Sequence, residues 1–349
     1  MAKPPKKQNS TPARVSSRYD KQEQRKDTIA QTPPEPPASI AMAGPVRSGV
    51  FCLRAETPLH AGAGTGSGTI DLPVQREAHT DWPYLAASGL KSAMRDAARV
   101  ALTAQPASGT PEEIAAAEEV ITDKINSVFG SDTNGDKPGS VAIGEASILL
   151  LPVRSLTGHF KWVTAPAVLE RHLAMCARVG VKCLFSSIPK IGDENGAAQM
   201  MHATHGVFLE EFHFSVAPAP GLDPICEHLA AISGIAPAAL RQRLVLVHDD
   251  RFAHFAKYAT PKAAHVKLTP QKTVAFGPWY EETLAPDTVL ALPVQGLPSS
   301  PPADQRSAGV SYKFLREWFS VPNRPYLRVG GNETLGMGWC KVNVTDATP

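Results

Sequence analysis

Apolar residues recur along the chain at two spacings, and their pattern predicts strands interleaved with helices. In Val50–Glu56, apolar Phe51 and Leu53 alternate with a more polar set, which predicts a half-buried strand. The nearly continuous apolar run Ile148–Val153 predicts a strand in the centre of a sheet. Further strands are expected over residues 206–216, 244–248, 289–294, 326–329 and 339–344.

Helices are predicted between these strands from capping residues and helical spacing. Ser88 is suited to cap a helix that ends near Leu102. A second helix is predicted to begin after Thr110, because Pro111 and two glutamates occupy its first turn, and to end at Gly130. Other helices are expected over residues 166–179, 224–233 and 311–319. Strands and helices do not alternate regularly, so the predicted class is α+β with antiparallel sheets.

Charge divides the chain into two parts. Residues 1–49 hold nine lysines and arginines, four acidic residues and eight prolines, whereas the rest of the chain has a small acidic excess. Such a basic, proline-rich segment cannot bury enough surface to fold, so residues 1–46 are predicted to be a disordered extension and residues 47–349 the folded domain. The net charge of +2 excludes a uniformly basic nucleic-acid-binding surface.

Several classes of protein and site are disfavoured. No apolar run approaches the roughly 18 residues of a membrane span, and Met1–Ala30 lacks the apolar core of a signal peptide, so a cytoplasmic protein without membrane contact is expected. The five cysteines form no C-x-x-C pair and are expected to be reduced, mostly buried thiols. His202 and His205 have helical ligand spacing but no partner for zinc, and His248–Asp250 is predicted to be a turn.

Two glycine-rich segments are candidates for binding a phosphate backbone through main-chain amides. The first ends in one carboxylate, Asp71, and is not a dinucleotide-binding fingerprint because Thr69–Pro73 is extended where a helix should begin. Its glycines are Gly62, Gly64, Gly66 and Gly68. The second lies between two predicted strands, and its glycines are Gly330, Gly331, Gly336 and Gly338. Taken alone, the second segment is more simply a hairpin turn.

A stripe of cations accompanies these segments. Lys91, Arg95 and Arg99 recur at four-residue spacing on the first predicted helix. Together with Ser88 and the two glycine-rich segments, this stripe would contact phosphates without reading base sequence. The sequence therefore predicts a local RNA-binding surface made of amides and a few charges.

Longer blocks of the sequence resemble a known family. His60–Glu77, Trp82–Tyr84 and Ser88–Arg95 resemble the opening of the fourth Cmr subunits, the RAMP-superfamily backbone proteins of type III-B CRISPR effector complexes. Further blocks match in order as far as Gly330–Trp339. The resemblance therefore covers roughly residues 46–344, and it is far more specific than a single glycine motif.

The resemblance implies an architecture and an assembly. The fold would be a ferredoxin-like (RRM-type) palm with an insertion near residues 103–139 and an extruded thumb hairpin near residues 184–206. Copies of the family's subunit stack into a helical filament along the guide RNA (crRNA), together with other Cmr subunits. Each thumb displaces one nucleotide of the duplex between guide and complementary target RNA. Guide RNA, target RNA, other Cmr subunits and further copies of this chain are the expected partners.

The resemblance also implies a catalytic residue. In the family, the aspartate at the end of the first glycine-rich loop is required to cut target RNA with a divalent metal, and the matching residue is Asp71. The expected cofactor is Mg²⁺ or Mn²⁺, with Asp71 as its ligand or as the base that withdraws the 2′-proton. A displaced nucleotide would supply the in-line geometry for attack by the 2′-hydroxyl. Without the surrounding motif, Asp71 would be interpreted as a turn or capping residue.

Three further residues are candidates for catalysis beside Asp71. His60 would act as an acid or base, because the pKa of imidazole lies near neutral pH, although a role at the strand end is about equally compatible. Tyr280 and Glu281, together with the following Glu282, are expected either to be neighbours of Asp71 or to form a solvated strand end. Two other functions stay open: a non-catalytic RNA-binding scaffold of the same complex, and a metal-independent ribonuclease that processes the guide through a histidine.

Overall fold

The structure of the chain is a computed structural model. It describes residues 48–66, 68–103, 110–131, 138–199, 206–297, 308–320 and 325–348. The predicted extension, residues 1–46, and the pair His202 and His205 lie outside the described residues.

Most of the strands join one large mixed sheet. The described strands are β1 (Ser48–Ala55), β2 (Tyr84–Leu85), β3 (Val141–Ile143), β4 (Ala146–Arg154), β5 (Phe160–Thr164), β6 (Gly196–Gln199), β7 (Val207–Leu209), β8 (Phe212–Pro218), β9 (Leu244–Val247), β10 (Lys262–Leu268), β11 (Val274–Glu282), β12 (Val289–Gly296), β13 (Tyr326–Arg328) and β14 (Trp339–Asp346). The main path of this sheet runs β13-β14-β1-β12-β4-β5-β9-β6-β8-β7, with β2 paired to β4 and β3 paired to β12.

Helices cover this sheet. They are α1 (Ala87–Thr103), α2 (Pro111–Phe129), α3 (Pro166–Val179), α4 (Asp223–Ser233), α5 (Pro237–Arg243), α6 (Asp249–Tyr258) and α7 (Ala308–Ser320). Most strand pairs are antiparallel, while β5–β9 and β6–β8 are parallel. The predicted α+β class is therefore confirmed. None of the described helices is both long and apolar enough to cross a membrane.

Strand β1 lies inside the sheet and separates two apolar cores. It pairs antiparallel with β12 on one side and with β14 on the other. Phe51 and Leu53 enter a core shared with α1, α2 and α7. Val50 and Cys52 enter a second core shared with α3, α4 and α6. The prediction of a half-buried strand is wrong here, because helices cover both faces.

Local signals in the sequence located several elements well. Strand β4 pairs with both β12 and β5, which confirms the central strand predicted for Ile148–Val153. Helix α2 has a full capping box between Thr110 and Glu113, as the sequence indicates. Helix α1 begins at Ala87, so Ser88 lies in its first turn rather than before it. His248–Asp250 is not an isolated turn, because His248 caps α6 by accepting from the Asp250 amide.

Among the described residues, an exposed hairpin lies outside the segment that was predicted to be the thumb. Within residues 184–206, strand β6 pairs with β8 and β9 in the main sheet, and residues 200–205 are outside the described part. Strands β10 and β11 instead form a two-stranded sheet of their own. Val274 and Phe276 on this hairpin are 59% and 68% exposed. Such apolar residues are equally typical of a strand that is buried in a core, which is why the exposure of this hairpin is not evident in the sequence.

Candidate functional site

The first glycine-rich segment folds back on itself. Gly62 and Val74 form an antiparallel bridge, and the Ala63 amide donates to the Pro73 carbonyl at 2.9 Å. Nearer the tip, the Gly66 amide donates to the Asp71 carbonyl at 2.8 Å. The segment is therefore a narrow hairpin-like loop that ends at Asp71.

The returning arm of this loop lies along the end of β11. The Leu72 amide donates to the Tyr280 carbonyl at 3.0 Å, and the Glu282 amide donates to the Leu72 carbonyl at 2.9 Å. Through these hydrogen bonds, the returning arm of the loop pairs with β11 like a short extra strand of the exposed hairpin. They join two segments that are about two hundred positions apart in the sequence.

Asp71 is exposed and is held in place by one backbone donor. Its Oδ2 accepts a hydrogen bond from the Tyr280 amide at 2.7 Å. The Tyr280 side chain is 44% exposed beside it. Such a carboxylate is oriented by the protein and remains accessible to a large ligand, so the structure brings Asp71 and Tyr280 together at the surface.

His60 lies underneath the loop. It is buried, and its Nδ1 is 2.7 Å from the main-chain carbonyl of Glu282. A carbonyl oxygen only accepts, so Nδ1 carries the proton and donates. A Cβ atom at Gly62 would lie 2.8 Å from His60 Nε2, so glycine allows the loop to cover the ring. His60 is therefore a fixed and covered imidazole.

Glu281 is buried on the same side as His60. Its Oε1 accepts from Asn332 Nδ2 at 2.6 Å, and this oxygen is 3.9 Å from His60 Nδ1. Its Oε2 is 3.9 Å from His265 Nε2. Glu281 therefore joins the hairpin to the second glycine-rich segment, and only Asp71 and Tyr280 of the four predicted catalytic residues lie at the exposed edge.

The second glycine-rich segment closes against the first around His60. The Gly331 amide donates to the His60 carbonyl at 2.8 Å, and the Gly338 amide donates to the Pro58 carbonyl at 2.9 Å. Gly330 has φ +88°, and a Cβ there would lie 2.3 Å from the His60 carbonyl oxygen. Glycine is required at Gly330 by this close approach. The two segments are thus one continuous surface.

Some glycines of this surface face open space. A Cβ atom at Gly64, Gly68 or Gly336 would meet no atom within 4 Å. By contrast, a Cβ at Gly66 would lie 2.4 Å from the Ile70 carbonyl oxygen, so that glycine serves the tight turn. The open positions let a ligand approach the backbone closely.

The start of α1 lies next to the first loop. Gln75 Nε2 donates to the Gly62 carbonyl at 3.1 Å, and Gln75 Oε1 accepts from the Ala86 amide at 3.2 Å. Ser88 is exposed in the first turn of this helix. Partial burial, with a smaller contribution from Arg95, holds the pKa of Lys91 below its ordinary value. Gln75 therefore joins the glycine loop to the segment that leads into α1.

The predicted cation stripe is not made of three equivalent residues. Arg95 Nη2 donates to the carbonyls of Phe129 and Gly130 at 2.8 and 2.9 Å. It thus satisfies carbonyls at the end of α2, where a cation also complements the helix dipole. Arg99 lies 3.8 Å from Asp96 in an exposed ion pair. Arg95 therefore has a structural role that its spacing in the sequence does not reveal.

Glu282 is the centre of a buried network that the sequence analysis missed. Its Oε1 accepts from Arg76 Nη2 at 2.6 Å and from Thr260 Oγ1 at 2.5 Å. Its Oε2 accepts from the Val74 amide at 3.1 Å. The acidic pair after Tyr280 was visible in the sequence, but nothing there shows that both of its members are buried. This network fixes the arm that carries Asp71.

A second missed ion pair fixes the end of the same arm. Arg171 on α3 donates to both oxygens of Glu77, at 2.5 and 2.9 Å, and Thr80 Oγ1 donates to Oε2 at 2.5 Å. Burial acts against ionisation, but the hydrogen bonds from Arg171 and Thr80 outweigh it and hold the pKa of Glu77 below its ordinary value. The arm is therefore anchored to the helix layer.

The surroundings of Asp71 fit a metal that is shared with RNA. Among the described residues, Asp71 does not belong to a group of three or more histidine, cysteine or acidic side chains with converging ligand atoms. Mg²⁺ is commonly held by one or two carboxylates together with waters and substrate phosphates. One exposed carboxylate fits that kind of site, and it does not fit a cage made by protein alone.

Comparison with known proteins decides the family. The profile of the RAMP superfamily matches residues 52–341. The chain belongs to the RAMP superfamily. The chain is also similar to the CRISPR system Cmr endoribonuclease Cmr4 of Pyrococcus furiosus. The two sequences are 30% identical over 299 residues, which cover 84% of this chain and 94% of that protein.

Solved structures resemble this RAMP-superfamily fold over most of the chain. Oligomeric Cmr4 from Pyrococcus furiosus superposes with a TM-score of 0.64 at 24% identity, covering 87% of this chain and all of that one. A subunit of the type III-B Cmr-beta complex bound to cognate target RNA gives a TM-score of 0.61 at 18% identity, covering 85% and 96% of the two chains. The expected RAMP fold is thereby confirmed.

Proposed function

We propose that the protein is a guide-RNA-binding backbone subunit of a type III-B Cmr effector complex, and that it cleaves complementary target RNA at Asp71 with Mg²⁺ or Mn²⁺. The relative that is 30% identical is a Cmr endoribonuclease, and the similar structures include an oligomer and a complex with target RNA. The observation that carries the catalytic assignment is the exposed Asp71 carboxylate, held by the Tyr280 amide at 2.7 Å.

The surface around the glycine loops suits the backbone of a guide. Open glycines, the first turn of α1 at Ser88, and Lys91 offer amides and one local cation to phosphates. Contacts of this kind do not read bases. A guide must keep its base edges free for pairing with a target, so backbone contacts are the appropriate kind.

The hairpin of β10 and β11 suits the role of the wedge that displaces a target nucleotide. Phe276 and Val274 are exposed apolar side chains, and apolar wedges that separate stacked bases are a common device. Phe276 and Tyr280 lie four positions apart on strand β11. One strand would therefore link the wedge to the carboxylate.

The chemistry follows from where the carboxylate is held. A displaced target nucleotide would place its 2′-hydroxyl in line with the adjacent phosphorus. The Tyr280 amide keeps Asp71 Oδ2 oriented, so the carboxylate can withdraw the 2′-proton or hold a hydrated cation. A bound divalent cation would neutralise charge that develops on the phosphate. The target would then be cut beside each displaced nucleotide, and pairing with the guide determines which nucleotides are displaced.

The environment of His60 argues for this mechanism over a histidine-based one. Its Nδ1 is committed to the Glu282 carbonyl at 2.7 Å, and Gly62 covers the Nε2 side of the ring. A general acid or base has to reach the proton that it transfers. We therefore assign His60 a positioning role under the loop.

The experiment compares Asp71→Asn with a matched variant. The protein is assembled with guide RNA and the other Cmr subunits, and end-labelled complementary RNA is added with Mg²⁺ or with EDTA. Asp250→Asn removes a carboxylate that is 73% exposed on α6 and serves as the control. We expect regularly spaced products for wild type and control, and cleavage slower by roughly 10²-fold or more for Asp71→Asn or in EDTA.

The outcomes separate the alternatives. Unchanged cleavage by Asp71→Asn would refute the catalytic assignment. Target binding by the wild-type complex without any cuts would leave a scaffold. Cutting of repeat RNA by the isolated protein in EDTA would support the guide-processing function instead.

A further inference from the structure

A compact cluster of metal-binding side chains lies far along the chain from the glycine loops. His172 and Cys176 are on α3, Cys183 follows that helix, and His228 is on α4. One ligand atom from each residue lies within 4.8 Å of the other three. His172, Cys176 and His228 are 2%, 1% and 2% exposed. Three of the four residues are therefore buried, and Cys183 is partly buried against the second core.

The distances match those of a tetrahedral centre. With Zn–N bonds of about 2.05 Å and Zn–S bonds of about 2.3 Å, a tetrahedron separates two nitrogens by about 3.3 Å and a nitrogen from a sulfur by about 3.6 Å. Here the two histidine Nε2 atoms are 2.9 Å apart. Cys176 Sγ is 3.4 Å from His172 Nε2, and Cys183 Sγ is 3.8 Å from His228 Nε2. Only small side-chain adjustments separate this arrangement from a metal centre.

We propose that His172, Cys176, Cys183 and His228 bind one Zn²⁺ ion in a closed, tetrahedral Cys₂His₂ site. Two thiolates and two imidazoles are the ligand set that structural zinc prefers. All four positions are filled by protein, so the site has no place for a substrate. Its role is structural, and it is separate from the cleavage site at Asp71.

Zinc binding would form two Zn–S and two Zn–N bonds, and the two thiols would release their protons to solvent as they become thiolates.

The site would join three parts of the second core. Spacing by four residues places His172 and Cys176 on one face of α3, Cys183 brings the following loop, and His228 brings α4. Phe185 packs edge-on against the His228 ring at 5.4 Å. Arg171, next to His172, holds Glu77 at the end of the catalytic arm. Zinc would thus stabilise the helix layer on which that arm is anchored.

The test measures metal in the full chain. The protein is purified without a metal-affinity column, and its metal content is determined by mass spectrometry for wild type, Cys176→Ser and Cys183→Ser. Cys226→Ser removes a buried thiol of α4 that is outside the cluster and serves as the control. We expect roughly one zinc per chain in wild type and control, and loss of that zinc in the two ligand variants.

A cobalt titration keeps the test decisive if a ligand variant does not fold. Wild-type protein stripped of metal should take up Co²⁺ with a thiolate-to-cobalt charge-transfer band, and its thermal unfolding midpoint should rise when Zn²⁺ is restored. Wild type that contains no zinc and takes up neither Zn²⁺ nor Co²⁺ overturns the proposal. Full zinc retention by Cys176→Ser and Cys183→Ser overturns it as well.

Discussion

Two carboxylates beside the end of β11 show how burial decides what an acidic residue can do. Asp71 is exposed and has the Tyr280 amide as its donor, whereas Glu282 is 1% exposed and accepts from Arg76, Thr260 and the Val74 amide. A buried charge is tolerated only when it is paired, so Glu282 is fully occupied in holding the arm. An exposed carboxylate costs little and remains available for a ligand.

Glu281, the neighbour of Glu282 on β11, is also buried and occupied by protein partners. Successive side chains of a strand face opposite sides, so Glu281 contacts Asn332 while Glu282 contacts Arg76. Neither glutamate reaches the exposed edge. The acidic residues near the loop therefore divide into one that is accessible to a ligand and two buried ones that support the loop.

The largest expected effect on stability is at Glu282. Glu282→Gln leaves the largely buried Arg76 guanidinium without its counter-charge, and we expect a loss of about 3 kcal/mol in the free energy of unfolding. Asp71→Asn, at the exposed end of the comparison, should change it by less than about 0.5 kcal/mol. Urea unfolding of both variants measures the difference. Equal losses would show that burial does not separate the two carboxylates.

An intermediate effect is expected at Glu77, and it depends on pH. The pKa of Glu77 is lowered in the folded state, so its pair with Arg171 stabilises the protein above the ordinary pKa of 4.5 and loses that effect as the pH falls through the folded value. The difference in stability between wild type and Glu77→Gln should be largest at neutral pH. It should shrink as the pH falls and Glu77 becomes protonated. Thermal unfolding between pH 3 and pH 7, values chosen to span roughly that transition, measures this.

The control for Glu77 is the exposed pair of Arg54 and Glu56, at 3.4 Å. Glu56→Gln should alter stability little at any pH, because exposed ion pairs contribute little. A pH-independent difference between wild type and Glu77→Gln would argue against the pair with Arg171 as its cause.

The smallest effect on stability is expected at Lys91. Lys91→Met should leave the free energy of unfolding nearly unchanged but should weaken guide-RNA binding. The slope of log affinity against log salt concentration should fall by the amount expected for about one phosphate contact. Arg95→Met, on the next turn of α1, should instead destabilise the protein, because the carbonyls of Phe129 and Gly130 lose their donor. Filter binding at several salt concentrations and urea unfolding distinguish them. Identical behaviour of the two variants would contradict the assignment of Arg95 to structure.

The sequence predicted best what depends on neighbouring residues. Helix α2 begins after Thr110 and ends before Gly130, because a capping box and a terminal glycine act within a few positions. The family, the α+β class and the central strand β4 also follow from local blocks. The sequence did not predict the exposed hairpin of β10 and β11, because apolar residues such as Phe276 look the same in a core strand as on an exposed one.

The candidate site was only partly predictable for the same reason. Asp71 and the open glycines could be named from the motif. His60 and Glu281 are buried by partners that are tens to hundreds of positions away in the sequence. Arg95 likewise donates to the carbonyl of Phe129, at the end of a different helix. Burial and pairing are properties of the packed chain.

The sequence by itself determined the family, the fold class, most helix and strand positions, and the identity of the carboxylate at the loop. Only the tertiary structure decided which charges are buried and where the exposed hairpin lies. It alone also brought His172, Cys176, Cys183 and His228 within 4.8 Å of one another. The four-residue spacing on α3 brings His172 and Cys176 together locally. His228 joins them only because α4 packs nearby, and such long-range packing produces no short sequence motif.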